Sequence, residues 1–108
     1  MEEYVQVITT TASQKEAERI ARVLLEKRLV ACVQIIGPIA SLYWWQQKIE
    51  RSEEWLCLAK TKSKLFAQVE ETIKSLHSYE VPEILAVPIV KGSSSYLQWL
   101  SEQLHQTP

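Results

Sequence analysis

Two strand patterns that each lead into an amphipathic helix most constrain how this chain folds. Residues 4–10 read YVQVITT, an alternation of β-branched residues that predicts a strand. Ser13 follows, and Glu16 three positions later completes a capping box, which predicts the start of a helix. The apolar residues of that helix recur at helical spacing and predict one buried stripe: Ala17, Ile20, Ala21, Leu24 and Leu25.

A long hairpin is predicted next. Residues 29–36 (LVACVQII) form the second strand, and Gly37-Pro38 introduces a bulge or bend rather than a reversal, because strand character resumes at once in IASLYWW. Residues 46–48 are the predicted hairpin tip, and 49–61 return as the third strand. Such a ribbon outruns an ordinary small sheet, so its edges need covering.

The second half repeats the strand-and-helix theme. A second helix is predicted over 63–77, and its buried side carries Leu65, Phe66, Val69, Ile73 and Leu76. Residues 79–83 connect it to a fourth strand, 84–90, which Pro88 places at a sheet edge or a bulge because proline cannot donate to a ladder. A third helix is predicted from Tyr96 to about Leu104.

The element order is therefore β-α-β-β-α-β plus a C-terminal helix, which is the ferredoxin-like arrangement. We predict an α+β fold with an antiparallel sheet and both crossover helices on one face. Residues 1–108 contain no linker or low-complexity segment and are interpreted as a single domain.

Composition excludes several classes. The chain is 46% hydrophobic and 23% charged with a net charge of −1, which is typical of a globular protein and gives no basic surface for nucleic acid or an anionic membrane. No apolar run of about 18 residues is present, so no transmembrane helix is expected. The acidic N-terminus is unlike a secretory signal, and a cytoplasmic location is expected. Cys32 and Cys57 lie in apolar surroundings and are expected to be free, buried thiols.

Aromatic residues are concentrated on the hairpin and the last helix. A two-layer domain has one protected sheet face, and the other must be covered. The last helix alone is one way to cover it, and subunit association through the ribbons with closed symmetry is the favoured way, since aromatic residues are enriched in interfaces. The residues predicted at that interface are Tyr43, Trp44, Trp45, Trp55 and Trp99.

Five segments spread over the chain resemble the CutA family. They are TTxxSxxEAxxIAxxLLEKRLVACVQI (9–35), SLYWWQQKIE (41–50), LAKTK (58–62), HSYEVPEI (77–84) and YLQW (96–99). Their order and spacing make the resemblance specific. It implies a trimer of ferredoxin-like subunits joined through sheet edges, as in the PII signal proteins, and a link to tolerance of divalent cations, copper in particular.

Three positions depart from the family pattern. Gln34 replaces the usual Asn, Gln47 the usual hairpin Gly, and Ser78 the Pro that usually precedes Tyr79. Because a non-Gly residue resists positive φ, Gln47 predicts a different turn type. Loss of the proline predicts a looser connector.

Ligand-type side chains stand at matching motif positions: Cys32, His77, Glu80 and Glu83. Thiolate and imidazole suit copper and carboxylate suits harder ions, so a cleft between subunits is one interpretation. No CxxC or HxxxH spacing supports it, and the alternative is a packed thiol, a histidine at a helix C-terminus and solvated loop carboxylates. Lys60, Thr61 and Tyr79 are candidates for a cleft that takes a small anion, against a purely structural ion pair.

No nucleophile, base and orienting group can be assembled, and two glycines cannot build a phosphate-binding loop, so we expect no enzyme. The first hypothesis is a homotrimeric copper-tolerance protein. The second is a PII-like sensor or scaffold that binds a small molecule or partner protein, which rests on fold analogy. A nucleic-acid module is disfavoured because an RNP-like string is missing.

Overall fold

The computed structural model of the chain describes residues 3–105. The order of its elements is the one that the sequence predicts, and it confirms the α+β class. The bounds are β1 Tyr4–Thr11, α1 Gln14–Glu26, β2 Cys32–Trp45, β3 Lys48–Lys62, a 3-10 turn Ser63–Leu65, α2 Phe66–Leu76, β4 Ile84–Pro88 and α3 Ser94–Gln103.

The four strands form one antiparallel sheet in the order β2-β3-β1-β4. β4 lies at an edge and pairs only with β1, where Val5 faces Pro88. Of the edge and the bulge that Pro88 predicts as alternatives, the edge is confirmed, and the strand ends at that proline rather than at Val90. β2 starts at Cys32 rather than at the predicted Leu29. Just before it, the Ala31 N–H donates to the Lys60 carbonyl (2.9 Å), but regular pairing with β3 begins at Cys32.

The helices cover one sheet face. Ser13 caps α1, its Oγ accepting from the Glu16 N–H at 3.1 Å. The buried stripe of α1 is shorter than predicted, because Leu25 is 39% exposed. The predicted second helix begins as the 3-10 turn, and α2 ends at Leu76, one residue before the predicted end. The core beneath the helices includes Val7, Ile20, Leu24, Ala59, Val69 and Ile73.

The opposite sheet face is covered only in part. Helix α3 lies over the end where Cys32 and Lys62 are located: Lys62 Nζ donates to Ser101 Oγ at 2.7 Å, and Leu100 is fully buried. Leu85 and Val87 on β4 stay about half exposed. The alternative in which the last helix alone covers this face is therefore wrong for the single chain.

The β2–β3 hairpin continues far beyond β1. β1 pairs with β3 only up to Thr11 opposite Trp55, whereas β2–β3 pairing runs on to Trp45 opposite Lys48. We call residues 39–54 the ribbon. The predicted bulge at Gly37-Pro38 is confirmed by a shift of register between Ile36 and Ile39.

Trp55 and Gly37 determine the packing at the base of the ribbon. A Cβ on Gly37 would lie 2.3 Å from Trp55 Cδ1, so only glycine allows the indole to lie against the bulge. Trp55 is half-buried by this contact.

The hairpin tip corrects one expectation. Gln46 and Gln47 have φ of 50° and 67°, so both adopt the left-handed conformation that a two-residue hairpin turn requires. The absence of glycine has not changed the sign of φ. It has left two non-glycine residues in a region that costs roughly 1–2 kcal/mol each.

Replacing Gln47 by glycine tests this strain. We expect Gln47→Gly to raise the free energy of unfolding by about 0.5–1 kcal/mol in urea titrations, because glycine adopts positive φ at little cost. The matched control is Gln68→Gly at an exposed position of α2, which should lower the free energy of unfolding by about 1 kcal/mol. Equal destabilisation by both variants would contradict the strain at the tip.

Candidate metal site and connector

The connector, residues 77–83, leaves α2 and passes over the end of β1. The His77 side chain is fully buried. Its Nε2–H donates to the Thr10 carbonyl at 2.7 Å, and its Nδ1 accepts from the Tyr79 N–H at 3.1 Å. These two bonds occupy both ring nitrogens, so neither is available to a metal in this arrangement.

Glu16 binds the connector to α1. Its carboxylate accepts from the Ser78 N–H at 2.8 Å and from Ser78 Oγ at 3.0 Å. The same carboxylate accepts a longer bond from the Ala12 N–H at 3.4 Å, in place of the Ser13 N–H that a capping box would use. A proline at position 78 could provide neither donor. The departure at Ser78 therefore fastens the connector, and the expectation of a looser connector is wrong.

Tyr79 joins the connector to the base of the ribbon. Its O–H donates to Glu54 Oε2 at 2.8 Å, and Glu54 is buried at 6% exposure. Burial first, and then the bond and charge of Glu54, raise the pKa of the Tyr79 phenol, which keeps the phenol a donor. The Tyr79 ring also packs on His77, with centroids 4.8 Å apart.

The four predicted metal ligands do not converge within one chain. Glu80 and Glu83 are exposed on the connector, whereas Cys32 starts β2 at the other end of the sheet. Cys32 lies opposite Lys60 on β3. Glu54, which bonds Tyr79 of the connector, is six residues away along the same strand, about 20 Å. Over residues 3–105, no group of three or more His, Cys, Asp or Glu side chains could hold a metal ion.

Cys32 has a partner on α3. Its Sγ lies 3.6 Å from Tyr96 Oη, and this contact is the main cause that raises the pKa of the Tyr96 phenol. Tyr96 in turn packs against Trp99 with ring centroids 5.6 Å apart. Cys32 is half-buried, so its thiol contacts the aromatic pair and still faces outward in part.

The predicted anion cleft is dispersed. Thr61 is fully buried on the helix-covered face, where its hydroxyl donates to the Leu29 carbonyl at 2.6 Å, so its assignment to a ligand site is wrong and its role is packing. Lys60 points to the opposite face and donates to Gln34 Oε1. Gln34 stands where the family usually has Asn, and its longer side chain accepts this bond from Lys60. Tyr79 lies at the other end of β3.

Four of the five aromatic residues predicted at an interface are exposed in the single chain, and the fifth, Trp55, is half-buried. Trp44 is 71% exposed, and Tyr43, Trp45 and Trp99 are exposed to about 40%. Leu42 and Ile49 were missed by the sequence analysis. Residues opposite one another share a face, so Trp44 lies beside Ile49, and alternation places Leu42 there too. We call these three side chains the ribbon patch.

An open groove of about 380 Å³ runs between α1 and β2. It contains none of the predicted ligand residues. Its lining is Glu18, Ala21, Arg22, Leu25, Glu26 and Ile35. None of the helices that the structure describes is long and apolar enough to cross a membrane.

The fold and connector define a small ferredoxin-like α+β protein with a projecting ribbon. A family model described as CutA1 divalent ion tolerance protein matches residues 5–103. The divalent-cation tolerance protein CutA of Archaeoglobus fulgidus is 47% identical over 96 residues, which are 89% of this chain and 93% of that protein. The chain belongs to the CutA1 family of divalent ion tolerance proteins.

Solved structures agree with this assignment. The one described as the periplasmic divalent cation tolerance protein CutA from Archaeoglobus fulgidus gives a TM-score of 0.92 at 44% identity, over 94% of this chain and 99% of that chain. CutA1 from Oryza sativa gives 0.94 at 33% identity, over 98% and 97% of the two chains.

Replacing Glu16 tests whether its carboxylate, which lies in the first turn of α1, also fastens the connector. Glu16→Ala should lower the free energy of unfolding by about 2 kcal/mol in urea titrations, because it removes both Ser78 bonds. Glu18→Ala, one step along the same helix at an exposed position, is the matched control and should stay within about 0.5 kcal/mol of wild type. Similar values for the two variants would show that the Glu16 carboxylate does not fasten the connector.

The raised pKa of the Cys57 thiol predicts that the protein loses stability at alkaline pH. Burial, and to a smaller extent the Glu16 carboxylate, raises the pKa of its thiol from the usual 9.0 to about 11. The neutral thiol therefore contributes stability fully below pH 9, and that contribution is lost as pH rises through 11. Cys57→Ala should remove about 2 kcal/mol of the decline in unfolding free energy between pH 8 and 11, whereas Cys32→Ala should retain it. An unchanged decline in Cys57→Ala would show that other groups cause it.

Proposed function

We propose that this protein is a homotrimer that confers tolerance to divalent metal ions by binding copper in clefts between subunits. Family membership supports the tolerance role. The single observation that supports a copper site between subunits is the separation of the exposed ligand-type side chains. They cannot meet within one chain, so a site that they share needs more than one copy.

The ribbon supports self-association. A two-stranded ribbon is marginally stable in water, and its patch of Leu42, Trp44 and Ile49 is at least 65% exposed at each residue. The half-exposed β4 residues Leu85 and Val87 leave a second apolar surface on the uncovered sheet face. A ring in which each ribbon packs against a neighbour covers both surfaces and closes without leaving an open end.

The metal ligands of the proposal are the accessible ones. Glu80 and Glu83 are exposed, and Cys32 is half-buried. His77 is set aside, because its two nitrogens already bond Thr10 and Tyr79. Mixed thiolate and carboxylate ligands from different copies would suit a divalent ion of intermediate softness such as copper(II).

A PII-like sensor or scaffold is the second candidate. The open groove between α1 and β2 favours it, because the groove offers both apolar walls and charges, with Arg22 between Glu18 and Glu26. Thermal-shift measurements with nucleotides and small anions test it, since a ligand of the folded state raises apparent stability. We propose a binding role rather than catalysis, with no nucleic-acid or membrane partner. Two unpaired cysteines favour the cytoplasm.

Light scattering with copper analysis of the same sample tests the first proposal. We expect three times the 12.5 kDa of one chain, and retained copper(II) after desalting. Trp44→Thr should reduce the trimer, because it removes the aromatic residue of the ribbon patch while keeping strand propensity.

Matched variants separate metal binding from assembly. The double variant Glu80→Gln, Glu83→Gln and the variant Cys32→Ala should each lower bound copper at least tenfold without changing the mass. Glu71→Gln, an exposed carboxylate on α2, is the control and should bind as wild type does. A trimer that retains no copper would reject the metal site, and a monomer would reject the assembly.

A further inference from the structure

Tyr79 contacts the ribbon at the point where the support of the sheet ends. The last β1–β3 pair is Thr11 opposite Trp55, and Glu54 is the next residue of β3. Beyond it, β3 pairs only with β2. The Tyr79–Glu54 bond of 2.8 Å is therefore a fixed point between the connector and the first residues of the ribbon.

The connector is itself held on the opposite side. Glu16 accepts two bonds from Ser78, and the buried His77 ring donates to Thr10. Hydrogen bonds thus join the connector to the first turn of α1 at Ser78 and to Glu54 at Tyr79, the next residue of the chain. Glu80 follows Tyr79 directly in the chain, so a change in the backbone at Glu80 acts on Tyr79 through one peptide unit.

We propose that Tyr79 is a positioning residue that couples the exposed connector carboxylates Glu80 and Glu83 to the ribbon, so that cation binding there alters how firmly the ribbon is held for self-association. This coupling rests on the proposed function for its ligand, and the hydrogen bond to Glu54 is its mechanical element.

Because the ribbon is long, a small rotation at its base gives a larger displacement towards its tip. The ribbon continues for seven residues per strand beyond the bulge, which is about 23 Å at roughly 3.3 Å per residue. A rotation of about 10° at Glu54 therefore displaces the tip of the ribbon by about 4 Å and the ribbon patch by about 2–3 Å, enough to lose its contacts with a neighbour. Breaking a hydrogen bond to a charged group shifts the equilibrium between a held and a released ribbon by roughly 10- to 100-fold.

Hydrogen exchange of the wild-type and Tyr79→Phe proteins, without metal, tests the mechanical part. We expect amides at residues 39–41 and 52–54 to exchange about tenfold faster in Tyr79→Phe, while those of Val5 and Val7 in β1 stay unchanged. Glu54→Gln keeps an acceptor oxygen and should give an intermediate rate. Tyr4→Phe is the matched control and should leave the ribbon unaffected. Unchanged ribbon exchange, or a uniform rise across the sheet, would overturn the positioning role.

Adding copper(II) to the same proteins tests the coupling. We expect the wild-type ribbon to change its exchange at least threefold on copper binding, and Tyr79→Phe to bind the same amount of copper with no such change. A ribbon response that survives in Tyr79→Phe would overturn the coupling. If wild type takes up no copper, the proposed function fails and the coupling with it, whereas faster ribbon exchange in metal-free Tyr79→Phe would still establish the hold on the ribbon.

Discussion

The end of β1 at Thr11 is the constraint on which the rest of this structure depends. Up to that residue β3 has a neighbour on each side, and beyond it only β2 continues. Three features follow from this one boundary. The ribbon projects, its apolar side chains are left without a covering layer, and a gap opens at the end of β1 that the connector fills. The exposed ribbon patch is thus a consequence of unequal strand lengths.

Glu16 and Glu54 show how carboxylates organise that boundary. Glu16 lies in the first turn of α1, where the helix dipole favours a negative charge, and this position brings it within reach of Ser78. Glu54 is buried and accepts from Tyr79, which satisfies an otherwise costly group. Both carboxylates bind the connector, Glu16 at Ser78 and Glu54 at Tyr79. The connector consequently presents Glu80 and Glu83 outward from a fixed backbone.

Sequence reasoning worked best where a periodic pattern or a proline determined the outcome. The element order, the edge position of β4 and the bulge at Gly37-Pro38 were all predicted. It failed where two distant segments had to be brought together. Ser78 looked like a loss of rigidity, because its partner Glu16 is 62 residues away in the chain. Gln47 looked like a change of turn, yet the hairpin register imposes positive φ on it.

The sequence by itself determined which residues form strands and helices, because side-chain periodicity and capping act over a few residues. It also placed the aromatic residues on the hairpin. Only the tertiary structure decided that His77 is enclosed, that Thr61 faces the core, and that Cys32 is far from Glu80 and Glu83. These outcomes depend on sheet order and register, which set distances between residues that no local pattern relates.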